Sequence, residues 1–199
     1  MRLTFFLSLI FLATLPACVV HNDKQVIYAP THYGITFLYE NPGFEGEAQN
    51  NNRVQIRVLQ SKETSEGLEV TCQSTSYRGV ENAISLCQPD GAVFSVSPSG
   101  NKSMVLPAGF PEKTTSWESE GIFYQVIGRT KVDIPGVRAP DHIGVWVEAI
   151  HTSSYPLALG FEKARFFFLP NIGMAEIKVF SQGNWVTVYK LTGRYASDM

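Results

Sequence analysis

Arg53-Val54-Gln55-Ile56-Arg57-Val58-Leu59 decides the fold. Val54, Ile56 and Val58 take one side of the chain, and Arg53, Gln55 and Arg57 take the other. Successive side chains of an extended backbone point to opposite faces, so this is a strand with one apolar and one polar face. The same period of two recurs along the chain. Leu68, Val70 and Cys72 alternate with Glu69, Thr71 and Gln73, and Ala92, Phe94 and Val96 alternate with Val93, Ser95 and Ser97. Residues 122–134 read as one long strand, with Ile122, Tyr124, Val126, Thr130, Val132 and Ile134 on one side. Further strands are expected at 143–150, 159–169, 175–180 and 185–191. Asn41-Pro42-Gly43, Asn50-Asn51-Asn52, Pro89-Asp90-Gly91, Pro98-Ser99-Gly100-Asn101 and Gln182-Gly183-Asn184 break them. The last of these suits a tight hairpin. No stretch carries an i, i+3, i+4, i+7 apolar stripe with caps at both ends. The expected fold is therefore all-β: an antiparallel curved sheet of about ten strands, arranged as a half-barrel or sandwich.

Bulk composition fits that reading. Hydrophobic residues make up 44% of the 199 and charged residues 17%, which suits a packed domain rather than a disordered chain. Net charge is −2 and no stretch gathers Lys or Arg into a patch. Phosphate binding needs clustered cations, so nucleic acid is not an expected partner.

At the N-terminus, Met1-Arg2 supplies a positive charge, and residues 3–14 form an apolar run too short to span a bilayer. Leu15-Pro16-Ala17-Cys18 follows. This resembles the lipobox of bacterial lipoproteins. The resemblance implies a signal peptide over 1–17, cleavage before Cys18, a thioether lipid on its thiol and acylation (palmitate-type) of the new amine. Several acyl chains anchor firmly where one would be marginal. Val19, rather than Asp, implies the outer membrane under enterobacteria-like sorting, with the domain on the periplasmic face. Residues 18–32 read as lipidated N-terminus and tether, with His21 and His32 as solvated tether residues. Residues 33–199 read as the β-rich domain.

Export would place Cys72 and Cys87 in an oxidising compartment. A simple hairpin turning between Gly79 and Val80 sets them face to face, and a disulfide is expected there, worth roughly 3 kcal/mol. A metal or redox pair is the alternative; with no nearby His it makes a poor site.

Motifs that carry chemistry are sparse. Asp141-His142 invites a dyad reading, but adjacent residues rarely face each other as a dyad needs. Glu118 and Glu120 beside Trp117 could suggest glycan chemistry, and a solvated edge accounts for them as well. His151-Thr152-Ser153-Ser154 reads as a polar loop. No nucleophile elbow, zincin motif or phosphate loop is present. Catalytic, metal and cofactor sites are therefore not expected. Phe166-Phe167-Phe168 stands apart, because three consecutive aromatics on a strand load both faces. One face can fill a core; the other must be covered by a further layer, a partner protein or an apolar ligand. Leu157, Leu159 and Phe161 could extend the same surface.

The order of pieces over 33–195 resembles the TapB-like group of exported β-rich proteins, similar in outline to the half-barrel carriers LolA and LolB. The pieces are Tyr33-Gly34 with Phe37 and Tyr39, the strand pair around 54–72, Asp90-Gly91, Leu106-Pro107-Ala108, Trp117, a long strand with Gly128, Ile134-Pro135-Gly136-Val137, and an ending from Phe167 through Pro170-Asn171-Ile172-Gly173 to Trp185 and Tyr189-Lys190-Leu191. Asn171 replaces a usual Gly, which an αL-tolerant Asn can bear. The resemblance implies a fold and no catalytic residues. The function expected is non-enzymatic: an outer-membrane-anchored module that binds an envelope protein or an apolar ligand. Tyr124, Trp146, Phe166, Phe167 and Phe168 are the candidate surface, and a half-barrel's inner face would carry Ile122, Tyr124, Val126, Val145, Val147 and Phe167. A structural subunit of a secretion or pilus complex is one alternative. A peptidoglycan- or glycan-active hydrolase using Glu118, Glu120 or Asp141 is another.

Overall fold

The computed structural model describes residues 26–42, 53–76, 79–138, 141–151 and 163–196. Among them are twelve strands and no helix. In chain order they are β1 Ile35–Glu40, β2 Arg53–Thr64, β3 Gly67–Ser76, β4 Gly79–Cys87, β5 Val93–Val96, β6 Lys102–Leu106, β7 Ser116–Ser119, β8 Ile122–Lys131, β9 Ile143–His151, β10 Lys163–Leu169, β11 Gly173–Ser181 and β12 Asn184–Ala196. All pair antiparallel in one sheet of order β6-β5-β4-β3-β2-β1-β12-β11-β10-β9-β8-β7. Each half is a meander of hairpins, and β1 pairing with β12 joins the halves. The sheet curls until its edges meet: Ser119 Oγ on β7 donates to the Met104 carbonyl on β6 at 3.3 Å. The result is the expected all-β antiparallel curved sheet, closed nearly into a barrel.

Bulges help the curl, because an extra residue on one strand bends it and raises local twist. They fall at Leu38/Tyr39, Val58/Gln60, Val93/Phe94, Val126/Gly128, Phe167/Phe168 and Ile177/Lys178. The expected long strand 122–134 is shorter for this reason. β8 bulges at Ile127 and ends at Lys131, and residues 132–138 leave the sheet.

Two hairpins close on paired left-handed residues, Glu120-Gly121 (φ 54° and 75°) and Gln182-Gly183 (φ 50° and 82°). That is the type I′ geometry whose twist matches the flanking strands.

Registers assign the faces. Val126, Val147, Phe166, Ile177 and Tyr189 stand opposite one another across β8 to β12, and this row faces the interior. Phe37, Tyr39, Val58, Val70 and Phe168 complete the inner core. Phe167 lies on the other face, paired with Trp146.

The cysteine register departs from the expected one. Ser76 pairs with Gly79, so the register centres the hairpin two residues earlier than expected. Cys72 then faces Ala83, and Cys87 faces Leu68. Both thiols are free and buried, not joined in a disulfide. Four residues of strand separate the two levels, about 13 Å, whereas a disulfide needs Cα atoms within about 7 Å.

Candidate functional site

The N-terminal segment contributes to the walls of both an inner cavity and a cleft at the barrel end. Residues 26–32, expected as tether, pack against the protein. Tyr28 and Ala29 are buried in the core. Asn171 N–H donates to the Ile27 carbonyl at 2.7 Å, and Thr31 Oγ1 donates to Asn171 Oδ1 at 3.3 Å. Asn171 can serve because it takes the left-handed conformation, φ 56°, that the tight β10–β11 turn requires. The Tyr28 ring meets Phe110 edge-on at 5.1 Å, and Phe110 in turn meets Trp117 and Phe168.

The first hollow is an inner cavity of about 340 Å³. Phe37 and Tyr39 from β1, Ile56 from β2, Met174 and Ile177 from β11 and Tyr189 from β12 supply most of its wall. Cys72, Ser74, Ala83 and Ser85 line the β3–β4 side, and Pro30 of the N-terminal segment closes another part. None of the described residues lining it is charged. Tyr39 and Tyr189 stack at 4.5 Å, and Tyr39 Oη donates to the Met174 carbonyl at 3.1 Å. Burial pushes both phenols well above the usual tyrosine range; for Tyr39 the neighbouring Tyr189 and Cys72 add to it. Burial also pushes the Cys72 thiol up to about 11, with Cys87 adding a little, and pushes Cys87 to about 11. Every polar group on this wall is thus held neutral. Ala83 is exposed, so the cavity communicates with solvent past the β3–β4 hairpin.

The second hollow is a cleft of about 820 Å³ at the barrel end where the N-terminal segment enters. Ile27, Leu68, Ile143 and Val145 give it apolar walls, while Arg129, Glu112 and Asp141 add charge. Arg129 and Glu112 are hydrogen-bonded to each other. Asp141 is held by Arg194 Nη1 at 3.1 Å and Asn171 Nδ2 at 2.9 Å.

The candidate surface residues separate onto two faces. Tyr124, stacked on Trp117 at 5.0 Å, is inside with Phe166 and Phe168. Trp146 and Phe167 are outside, in ring contact at 4.8 Å. Phe167 is nevertheless only 2% exposed. The β8–β9 connection folds over it: Val132 and Ile134 share a small cavity with Phe167, Ala175 and Leu191, and Arg194 N–H donates to the Pro135 carbonyl. The outer half of the aromatic triplet is thus covered by the chain itself, and Phe167 does not belong to the inner face expected for it. Trp146 carries the Lys178 ammonium 4.7 Å from its ring centre.

The acid and histidine candidates do not converge. Glu120 occupies the β7–β8 turn with Glu118 exposed nearby, at the opposite end of the barrel from Asp141. The Asp141 carboxylate serves Arg194 and Asn171 rather than His142 as a dyad partner. His32 is exposed beside Thr31. His151, opposite Ile122, has both ring nitrogens buried without a hydrogen-bond partner among the described residues, as does Trp117 Nε1. No group of three or more potential metal ligands occurs among the described residues. Cys18, His21, Leu157, Leu159 and Phe161 lie outside them.

Alternation puts Ile56 and Cys72 on apolar strand faces and gives Tyr28, Phe37, Tyr39, Met174 and Tyr189 no place at a cavity. Alternation marks a face as apolar; it does not say that the sheet curls far enough to bring β1, β2 and β12 around one hollow.

This fold defines a class of near-closed antiparallel barrels. A protein of Bacteroides fragilis described as exported, with a YmcC-like fold, matches at TM-score 0.54 and 14% identity, over 86% of this chain and 100% of its own. A protein of Parabacteroides distasonis described as a lipoprotein matches at TM-score 0.50 and 12% identity, over 85% of this chain and 99% of its own. At such identities the likeness is one of fold. Neither neighbour bears on the TapB-like or LolA/LolB-like comparison. No protein-family model matches the chain, and no curated protein matches it in sequence.

Proposed function

We propose that this protein is an outer-membrane-anchored periplasmic lipoprotein that holds an apolar, acyl-chain-like ligand inside its barrel and acts by binding, without turnover. The observation that carries the proposal is the inner cavity: about 340 Å³, uncharged, and walled by Phe37, Tyr39, Ile56, Met174, Ile177 and Tyr189. Small-molecule sites fall in the range of roughly 300–1,000 Å³, mostly apolar with a few placed polar groups. A charged ligand would lose its hydration here and find no counter-charge. A hydrocarbon chain loses nothing, and the neutral tyrosine and serine hydroxyls can meet a polar head. The Leu15–Cys18 box supports the envelope address, as do structural neighbours described as exported and as a lipoprotein.

Titration of the unlipidated chain, residues 19–199, with a dansyl-labelled fatty acid tests the reading. Saturable binding with a blue-shifted emission is expected. Ala83→Trp, which adds bulk at the cavity's exposed side, is expected to weaken it about tenfold or more, while Val80→Trp at the hairpin tip leaves it unchanged. Absence of saturable binding, or binding indifferent to Ala83→Trp, would sink the proposal.

A further inference from the structure

The end of the barrel that receives the N-terminal segment differs from the rest of the surface. Val26 (48% exposed), Tyr33 (63%), Ile143 (46%) and Tyr195 (43%) gather there. Asp141 links them: it shares a small cavity with Tyr195 and the large cleft with Ile143 and Val26, where Glu63, Glu112 and Arg129 add charge between the apolar groups. Tyr33 adjoins the start of β1, whose Ile35 pairs with Ala196. Among the described residues the other large exposed apolar side chains are Val80, Val105, Ile127 and Val186, each on a different strand.

The chain beyond this end is short. Cys18 precedes Val26 by eight residues, a span of at most about 29 Å when fully extended. A ten-residue strand spans about 33 Å, so the opposite end stands nearly a barrel length farther from the anchor. Tyrosine suits the boundary between water and lipid, having an apolar ring and a polar tip. We infer that this end rests on the surface of the bilayer holding the Cys18 anchor. Tyr33 and Tyr195 sit at headgroup level, and Val26 and Ile143 meet the acyl boundary. The inference rests on the lipid anchor of the proposed function, and independently of the inner cavity it names the surface through which the domain meets the membrane.

The test uses the mature lipidated chain in vesicles of phosphatidylethanolamine and phosphatidylglycerol containing spin-labelled lipid. A nitrobenzoxadiazole fluorophore is attached in turn through Tyr33→Cys, Ile143→Cys and Val80→Cys. Each carries Cys72→Ser and Cys87→Ser and the lipid occupies Cys18, so the introduced thiol is the reactive one. Fluorophores at 33 and 143 are expected to be blue-shifted and quenched about threefold more than at 80. Protein that floats with the vesicles but shows equal, water-like emission at all three positions would overturn the inference and leave the anchor standing. Protein that does not float would overturn the anchor and the inference together.

Discussion

Asn171 concentrates several duties in one side chain. It holds φ 56° in the β10–β11 turn, donates to Asp141, accepts from Thr31 and offers its N–H to Ile27. Ala at this position keeps only the backbone bond and bears the left-handed penalty. Asn171→Ala is expected to lower stability by about 2 kcal/mol in urea unfolding, and Asn171→Gly by less, because Gly escapes that penalty. The reverse order would contradict the role given to the turn. The thiols make a second residue-scale case. Burial raises both to about 11, so the folded chain keeps their protons at a pH where the unfolded chain, near 9, has begun to lose them. Their contribution to stability is therefore complete below about pH 9 and is lost as pH rises toward 11. Urea midpoints are expected to fall over that window, and less steeply in Cys72→Ser/Cys87→Ser. Thiol titration in guanidinium without reductant is expected to find two reactive groups in residues 19–199; a disulfide would leave none. The Asn171 turn could be read in the sequence because its constraint is local. The cysteine pairing could not, because it depends on which residue begins a hairpin, and a shift of two positions moves one thiol past the other.

At the scale of elements, the β8–β9 connection is the least expected part. The sequence from Val132 to Val137 looks like the end of a strand followed by a Pro-Gly turn, and it serves as a cover over Phe167. Gly144 shows how closely the parts fit. A Cβ there would lie 2.3 Å from the Phe167 ring and 2.7 Å from the Phe168 carbonyl. Gly144→Ala is expected to cost about 1–3 kcal/mol by overpacking, with partial rescue from Phe167→Leu. Additive loss in the double variant, measured by urea unfolding, would show that the two do not compete for one space. The strands themselves were legible from alternation, as 53–59 and 68–73 were, and so was the loading of both faces by Phe166–Phe168, but not that Phe167 takes the outer one. What covered the outer face was not legible, since that cover comes from a segment about thirty residues away and no local pattern records it.

For the whole molecule, the decisive event is closure. Twelve strands curl until β6 meets β7, and β1 with β12 brings the two meanders around one interior. Period-two patterning gives an apolar face to each strand but no curvature; bulges, registers and the N-terminal segment supply it. The inner cavity exists only at this scale, drawing its wall from β1, β2, β3, β4, β11 and β12. A ligand that binds the folded barrel alone stabilises it, by about 2.7 kcal/mol at a hundredfold excess over its Kd. A fatty acid should therefore raise the melting temperature of the chain and do so less for Ala83→Trp. The most direct measurement is organic extraction and mass spectrometry of the protein purified from the envelope. About one equivalent of an acyl-chain compound beyond the covalent anchor is expected, and its loss in Ala83→Trp. Protein that emerges free of any such compound, or a variant that retains it in full, would contradict a ligand held inside the barrel.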